Sequence, residues 1–253
     1  MTARSISFDR IADRYDETRG GLERGRRIAE AIDPHLGEDT GVLEVGIGTG
    51  AVAAALAERG RTVVGVDLSA EMLERAVRRV GPRVVRGDAH ALPFPTDRLG
   101  AAYVVWVLHL VADPGAVMAE CARVLRQGGR LVVASGRPRP DPDTSPDITP
   151  IVAPLEAVRD ARLRSDDADS VQAWASAAGL TLVVRAERRE HFEHSPLEAA
   201  HAIEQRAYSY LWGIDDRMWS DVVMPVVNEL RALPDPESPR TFRQRQDMHV
   251  FEK

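Results

Sequence analysis

Between Val42 and Ser135 the chain alternates strand-length apolar runs with stretches of helical period. The runs are "VLEV" (42–45), "TVVGV" (62–66), "RVVRG" (83–87), "AAYVVWV" (101–107) and "RLVVAS" (130–135). Strands joined through helices must lie parallel, and a parallel sheet needs helices on both faces. The helix signals fit. "AVAAALAER" (51–59) stops at Gly60, and Ser69 can cap a helix with Leu68 and Leu73 as its hydrophobic staple. Asp113-Pro114 opens another helix, which Gly128-Gly129 is expected to close. "LTLVVRAE" (180–187) and "RTFRQRQDMHVFEK" (240–253) bring the strands to seven. The expected fold is therefore α/β: a Rossmann-like, seven-stranded, mostly parallel sheet.

The flanking segments read differently. "FDRIADRYD" (8–16) puts Phe8, Ile11, Ala12 and Tyr15 on one helical face, and a longer helix should follow to about Ile32. Five prolines in 137–150 predict an extended, exposed loop. A helix is expected around 169–178, and "SPLE" (195–198) is a capping box that opens a second helical block. Pro225 should kink the helix 218–230. The expected organisation is one domain over 1–253. Residues 1–37 form an N-terminal helical lid, 38–136 the ligand-binding core, and 193–232 a helical cap inserted before the last strand.

Bulk properties narrow the class. The 253 residues carry a formal net charge of −6, against the basic excess usual in nucleic-acid-binding domains. A single cysteine, Cys121, rules out an internal disulfide framework. With no apolar run of membrane-spanning length and no signal-peptide core at the N-terminus, the expectation is a cytoplasmic protein with no membrane partner. The histidines of "HFEH" (191–194) and His201 lack metal-ligand spacing, so no metal is expected.

The loop after the first strand, "VGIGTG" (45–50), is where a ligand belongs. Glycines let the backbone turn sharply and a ligand approach closely, and the helix N-terminus beyond favours an anionic group. Asp67, at the end of the second strand, can accept hydrogen bonds from both hydroxyls of a ribose. A nucleoside with a charged tail fits, which leaves a dinucleotide such as NAD or S-adenosylmethionine. The dinucleotide fingerprint G-x-G-x-x-G is not met: Ala51 stands where its third glycine belongs. Glu44, two residues before the first glycine, suits an amino group better than a pyrophosphate.

Taken together, "FDRIADRYD", "VLEVGIGTG", "VDLSAEML", "GDAHALPFP", "VVWVLHLVADP" and "VLRQGGRLVV" resemble the class I S-adenosylmethionine-dependent methyltransferases. The likeness is to the subgroup typified by ubiquinone and menaquinone biosynthesis, over roughly residues 8–135. It implies an enzyme using S-adenosylmethionine. Glu44, Gly46 and Gly48 would frame the methionine end, with Val105 near its amino group. Asp67 would hold the ribose, and Leu68 and Met72 would flank the adenine. Asp88 and Ala89 would contact the adenine edge, and Tyr15 and Arg19 would lie on a closing N-terminal helix. Tyr15 also reads as an apolar helix contact, and Arg19 as a surface arginine.

His109 follows the fourth strand and reads three ways: a general base, a pocket-lining group or a structural histidine. Trp106, Tyr208, Tyr210 and Trp212 are the candidates for binding the acceptor, the last three from the cap or from its own small core. The expected reaction moves a methyl group to a small, largely apolar organic molecule, by a monomer or homodimer with no nucleic-acid partner. The rival readings are a methyltransferase for RNA or protein, a catalytically silent cofactor-binding regulator, and an NAD-dependent oxidoreductase.

Overall fold

A computed structural model describes residues 8, 12, 15, 16, 20–136, 139–141, 147–162 and 166–253. The chain forms two compact units. The first comprises Met1–Arg137, Asp166–Glu187 and Asp247–Lys253, the second Pro138–Ser165 and Arg188–Gln246.

In the first unit, α1 (Gly21–Ile32) precedes β1 (Gly41–Val45), α2 (Ala51–Glu58), β2 (Thr62–Asp67), α3 (Ala70–Val80) and β3 (Val84–Arg86). Then come β4 (Leu99–Val105), α4 (Pro114–Val124) and β5 (Leu125–Ala134). The remaining sheet strands are β6 (Arg139–Pro140), β7 (Thr181–His194) and β8 (Arg240–Glu252). Their order is β3-β2-β1-β4-β5-β8-β6, with β7 also paired to β8. The pairs among β1 to β5 are parallel, while β8 runs antiparallel to β5, with Leu131 opposite Phe251. The seven expected strands are present, together with the two-residue β6.

The alternation of side chains explains the layers. Val42 of β1 joins a core with Ile28 and Ile32 of α1 and Leu56 of α2. Its neighbour Leu43 points the other way, into a core with Val117 and Met118 of α4 and Val171 of α7 (Ala168–Ala177). Both faces of β1 are thus covered, as an unbroken apolar run requires. The expected caps form: Ser69 Oγ accepts the Met72 amide at 3.2 Å, and Asp113 Oδ1 accepts that of Ala116 at 3.0 Å.

One expectation about the glycine pair is corrected. Gly128-Gly129 do not end α4, which stops at Val124 and passes directly into β5. The glycines form a bulge where the β4–β5 register jumps between Leu99 and Ala101. Gly128 has φ 71°, and a Cβ on Gly129 would lie 2.7 Å from the Arg126 carbonyl oxygen.

The second unit holds α5 (Ile148–Val152), α6 (Pro154–Arg162), α8 (Pro196–Glu204), α9 (Asp216–Met218) and α10 (Met224–Ala232). Ile148, Leu155 and Val158 pack there with Ile203, Val227 and Leu230. Two corrections fall here. Residues 148–152 and 154–162 are helical, where the proline count suggested loop up to 150 and no helix followed. β7 continues to His194, so strand occupies the start of the segment expected to be helical from 193. The capping box at Ser195 is complete, with reciprocal bonds of 3.1 and 2.8 Å to Glu198. The irregularity expected at Pro225 is a π turn over Trp219–Val223, just ahead of the residue that lacks an amide donor.

Candidate active site

The loop Gly46–Gly50 leaves β1 and opens α2. The amides of Gly46 and Ile47 both donate to the Val66 carbonyl of β2, at 2.8 and 3.0 Å. Gly46, Gly48 and Gly50 have φ of 77°, 55° and 76°, the left-handed region that favours glycine. A Cβ on Gly46 would lie 2.4 Å from Val107 Cγ2, whereas one on Gly48 would meet nothing within 4 Å. Gly46 therefore serves packing, and Gly48 leaves its backbone open to approach.

Asp67 ties this loop to the end of β2. Its Oδ2 accepts the Gly48 amide at 2.8 Å and its Oδ1 the Ser69 amide at 2.9 Å. On β1, Glu44 is only 3% exposed and its Oε2 accepts the Tyr103 hydroxyl at 2.8 Å. Burial pushes the Glu44 carboxyl up to about 8, and the Asp67 charge adds to this, while the Tyr103 hydrogen bond works against it. Glu44 accordingly holds a proton at neutral pH in the ligand-free chain.

A cleft opens over these residues. Tyr15, Arg24, Gly25, Glu44, Gly46, Gly48, Val105 and Trp106 line it. Asp16 closes one side: Thr49 Oγ1 donates to its Oδ1 at 2.7 Å, and its other oxygen pairs with Arg79 of α3. On the other side the Arg24 guanidinium lies 3.7 Å from the centroid of the Trp106 ring. Trp106 has φ 54°, a conformation that costs a non-glycine residue about 1–3 kcal/mol.

The other anticipated residues are placed as follows. The Gly87 amide donates to the Asp67 carbonyl at 3.0 Å, setting Asp88 just beyond the end of β3. Asp88 Oδ1 accepts the His90 amide at 2.9 Å, with His90 Nδ1 at 2.6 Å, and these bonds hold its carboxyl below the usual range. Leu68 is exposed, Met72 is buried, and Ala89 packs half-buried against the core that contains Val66 and Leu92. His109 sits on the 3₁₀ turn Leu108–Leu110 after β4. Arg19 lies outside the described residues.

Tyr208, Tyr210 and Trp212 belong to the second unit. The two tyrosine rings stack at 5.5 Å, and Trp212 Nε1 donates to the Arg206 carbonyl at 2.7 Å. Among the described residues, no group of three or more His, Cys, Asp or Glu is arranged to hold a metal ion.

Sequence reasoning missed Asp16, Arg24, Thr49, Arg79 and Tyr103. Tyr103 was within reach, because the parallel register of β1 and β4 sets it beside Glu44. The others meet across loops and helices, for which the sequence carries no period.

A parallel sheet with a glycine loop and an acidic residue at the ends of its first two strands defines a nucleoside-binding α/β enzyme. The family described as "Methyltransferase domain" matches residues 43–133. The chain is 33% identical over 214 residues to a demethylmenaquinone methyltransferase of Clavibacter sepedonicus, covering 77% of this chain and 85% of that one. It is 34% identical over 199 residues to the Thermobifida fusca protein of the same name, covering 71% and 83%. Among solved structures, geranyl diphosphate C-methyltransferase of Streptomyces coelicolor A3(2) superposes with a TM-score of 0.52. It shares 19% identity and covers 88% of this chain and 77% of its own. This likeness concerns the fold alone. The chain belongs to the class I S-adenosylmethionine-dependent methyltransferases of the menaquinone- and ubiquinone-biosynthesis type.

Proposed function

We propose that this methyltransferase holds S-adenosylmethionine in the cleft beside Glu44 and methylates a small, largely apolar organic acceptor. The observation that carries the reading is the buried Glu44 carboxyl, which lines the cleft next to the open Gly48 backbone. A cationic amino group would draw the Glu44 proton off and pair with the carboxylate, whereas an anionic pyrophosphate would keep the acid neutral and gain no charge partner.

In this reading Glu44, Gly46, Gly48 and Val105 receive the methionine end, and Tyr15 closes over it. Asp67 accepts the ribose hydroxyls while keeping its hold on the loop. Leu68, Asp88 and Ala89 form the adenine end, with Met72 as support from the core. When bound, S-adenosylmethionine supplies a methyl carbon activated by a sulfonium that departs uncharged. The protein's task is then alignment and exclusion of water. Trp106, braced by Arg24, would wall the transfer site, and His109 would take a proton where the acceptor must lose one.

The acceptor class is supported by relatives named for demethylmenaquinone. The net charge of −6 speaks against a nucleic-acid acceptor. The single cysteine, fully buried as Cys121, suits a reducing cytoplasm.

Calorimetry with S-adenosylmethionine, its demethylated product and NAD tests the cofactor. Mass spectrometry of reduced demethylmenaquinone incubated with enzyme and S-adenosylmethionine tests the acceptor. Binding of NAD alone would end the first claim, and an unmodified quinol the second.

A further inference from the structure

We infer that Asp166 is the positioning residue for His109. It would hold the ring with Nδ1 protonated, so that Nε2 is the nitrogen free to take a proton from the acceptor. The inference deepens the proposed function and rests on it for the role of His109.

The geometry is local to the first unit. His109 Nδ1 lies 3.5 Å from Asp166 Oδ2. The His109 side chain is 16% exposed and that of Asp166 9%. Asp166 Oδ2 has no hydrogen-bond partner among the described residues. A buried carboxylate oxygen with nothing donating to it is costly, so it needs a donor. Among the described residues, the imidazole Nδ1–H is a donor within reach. A gap of 3.5 Å is long for such a bond, and pairs of this kind commonly tighten only when the reacting partners are in place.

Both partners stand on well-held backbone. His109 follows β4 on a turn whose Leu108 is fully buried. Asp166 precedes Asp167, whose Oδ1 accepts the Ser170 amide at 2.8 Å and caps α7. The buried Val171 and Ala175 of that helix pack in the same core as Leu108. The Asp166 carbonyl oxygen lies 3.6 Å from where a Cβ on Gly136 would stand, so the segment rests against the turn that ends β5. Two side chains 57 residues apart are therefore brought together by a turn and a helix start whose neighbours share one core.

The chemistry follows from the two ring nitrogens. A carboxylate facing Nδ1 fixes the proton there, which leaves the Nε2 lone pair as base. As the acceptor's electron pair forms the new bond to the methyl carbon, the methyl–sulfur bond would break with its electron pair left on the departing neutral thioether, and Nε2 would take the acceptor's proton. The resulting imidazolium would be stabilised by the Asp166 carboxylate that faces it.

The first test needs no acceptor. Long-range ¹H–¹⁵N spectra of the full chain, with His109 assigned through His109→Gln, report which nitrogen carries the proton at pH 8. Wild type should show Nδ1–H. Asp166→Ala should shift His109 to the Nε2–H form that free imidazole favours, and Asp166→Asn should leave a mixture. An Nε2–H tautomer in wild type, or a tautomer unchanged in both variants, overturns the inference.

The second test is kinetic, with reduced demethylmenaquinone as acceptor. Asp166→Ala should lower kcat ten-fold or more and leave KM for S-adenosylmethionine within three-fold. Unchanged kcat in a folded Asp166→Ala protein also overturns it. If wild type fails to methylate the quinol, the acceptor class falls, and the tautomer measurement still decides the His109–Asp166 pair.

Discussion

Tyr103 donates its phenolic proton to Glu44 at 2.8 Å across two neighbouring parallel strands, and both side chains are buried. This bond keeps the carboxyl oriented toward the cleft, yet it does not offset the cost of burying charge there. Glu44 stands at about 8 in the fold, against 4.5 for an ordinary glutamate. The unfolded chain therefore ionises this group first as pH rises. Its contribution to stability is complete below about pH 4.5 and is lost as pH rises to about 8. In ligand-free protein, Glu44→Gln should gain thermal stability relative to wild type between pH 5 and about 8, the range in which Glu44 carries its linkage cost. The same variant should bind S-adenosylmethionine at least ten-fold more weakly, since it cannot supply a negative charge. Melting curves across pH, paired with calorimetry, check both halves; equal pH profiles would contradict the assignment.

Asp67 holds the glycine loop and, in the proposed function, the ribose as well, and substitutions test both roles. Asp67→Ala removes charge-assisted bonds to the Gly48 and Ser69 amides, each worth about 1.5–3 kcal/mol. Cofactor affinity should fall ten-fold or more, and the melting temperature should fall with it. Asp67→Asn should keep more of the loop's stability than Asp67→Ala while still losing affinity. Circular dichroism and calorimetry on the two variants separate the loop contribution from the ligand contribution.

The glycines of the loop should not tolerate alanine equally. Both Gly46 and Gly48 have positive φ, so each alanine carries a backbone cost of about 1 kcal/mol or more. Only Gly46→Ala also drives a methyl group to 2.4 Å from Val107. Gly46→Ala should therefore be the more destabilising in chemical denaturation without ligand. Gly48→Ala should show its larger effect on cofactor affinity, because its Cβ would project into open space at the cleft. The reverse order of stabilities would show that the loop is held differently.

His249 predicts an acid sensitivity unconnected with catalysis. The ring is 0% exposed, and neither nitrogen has a hydrogen-bond partner among the described residues. Burial, and secondarily the charge of Arg185, lower its pKa, while Asp247 acts the other way. The unfolded chain therefore binds this proton before the folded one does. Stability is unaffected at alkaline pH and falls as pH drops through about 6.5, the ordinary histidine value. His249→Leu should flatten the fall in melting temperature between pH 8 and pH 5. A decline as steep as that of wild type would place the acid sensitivity elsewhere.

The strands of the first unit were legible because burial on both faces leaves a plain apolar signature, as in "VLEV" and "TVVGV". The glycine loop and Asp67 were legible because a sharp turn after the first strand and an acid at the end of the second both restrict residue type. Helices α5 and α6 were obscured by the prolines before them, although Ile148, Ile151, Val152, Leu155 and Val158 follow a helical period. Asp166 gave no local signal. Its nearness to His109 arises only once the first unit has folded. The same holds for Asp16, which sits one residue past the apolar face of its helix and becomes meaningful through Thr49 and Arg79.

The interleaving of the two units has a bearing on how the chain is made. Met248–Glu252 pair with Ala134–Arg130 of β5, so one edge of the first unit waits for residues synthesised more than a hundred positions later. Until they leave the ribosome, β5 presents unpaired amides and carbonyls along that edge, a template for pairing with another nascent chain. The second unit is translated in the interval, mostly between 188 and 246. Its early compaction would shorten the excursion that β8 must close, and loop closure becomes cheaper as the effective loop shortens. Truncation after Gln246 should accordingly yield a protein that aggregates during expression, while its second unit retains helical content.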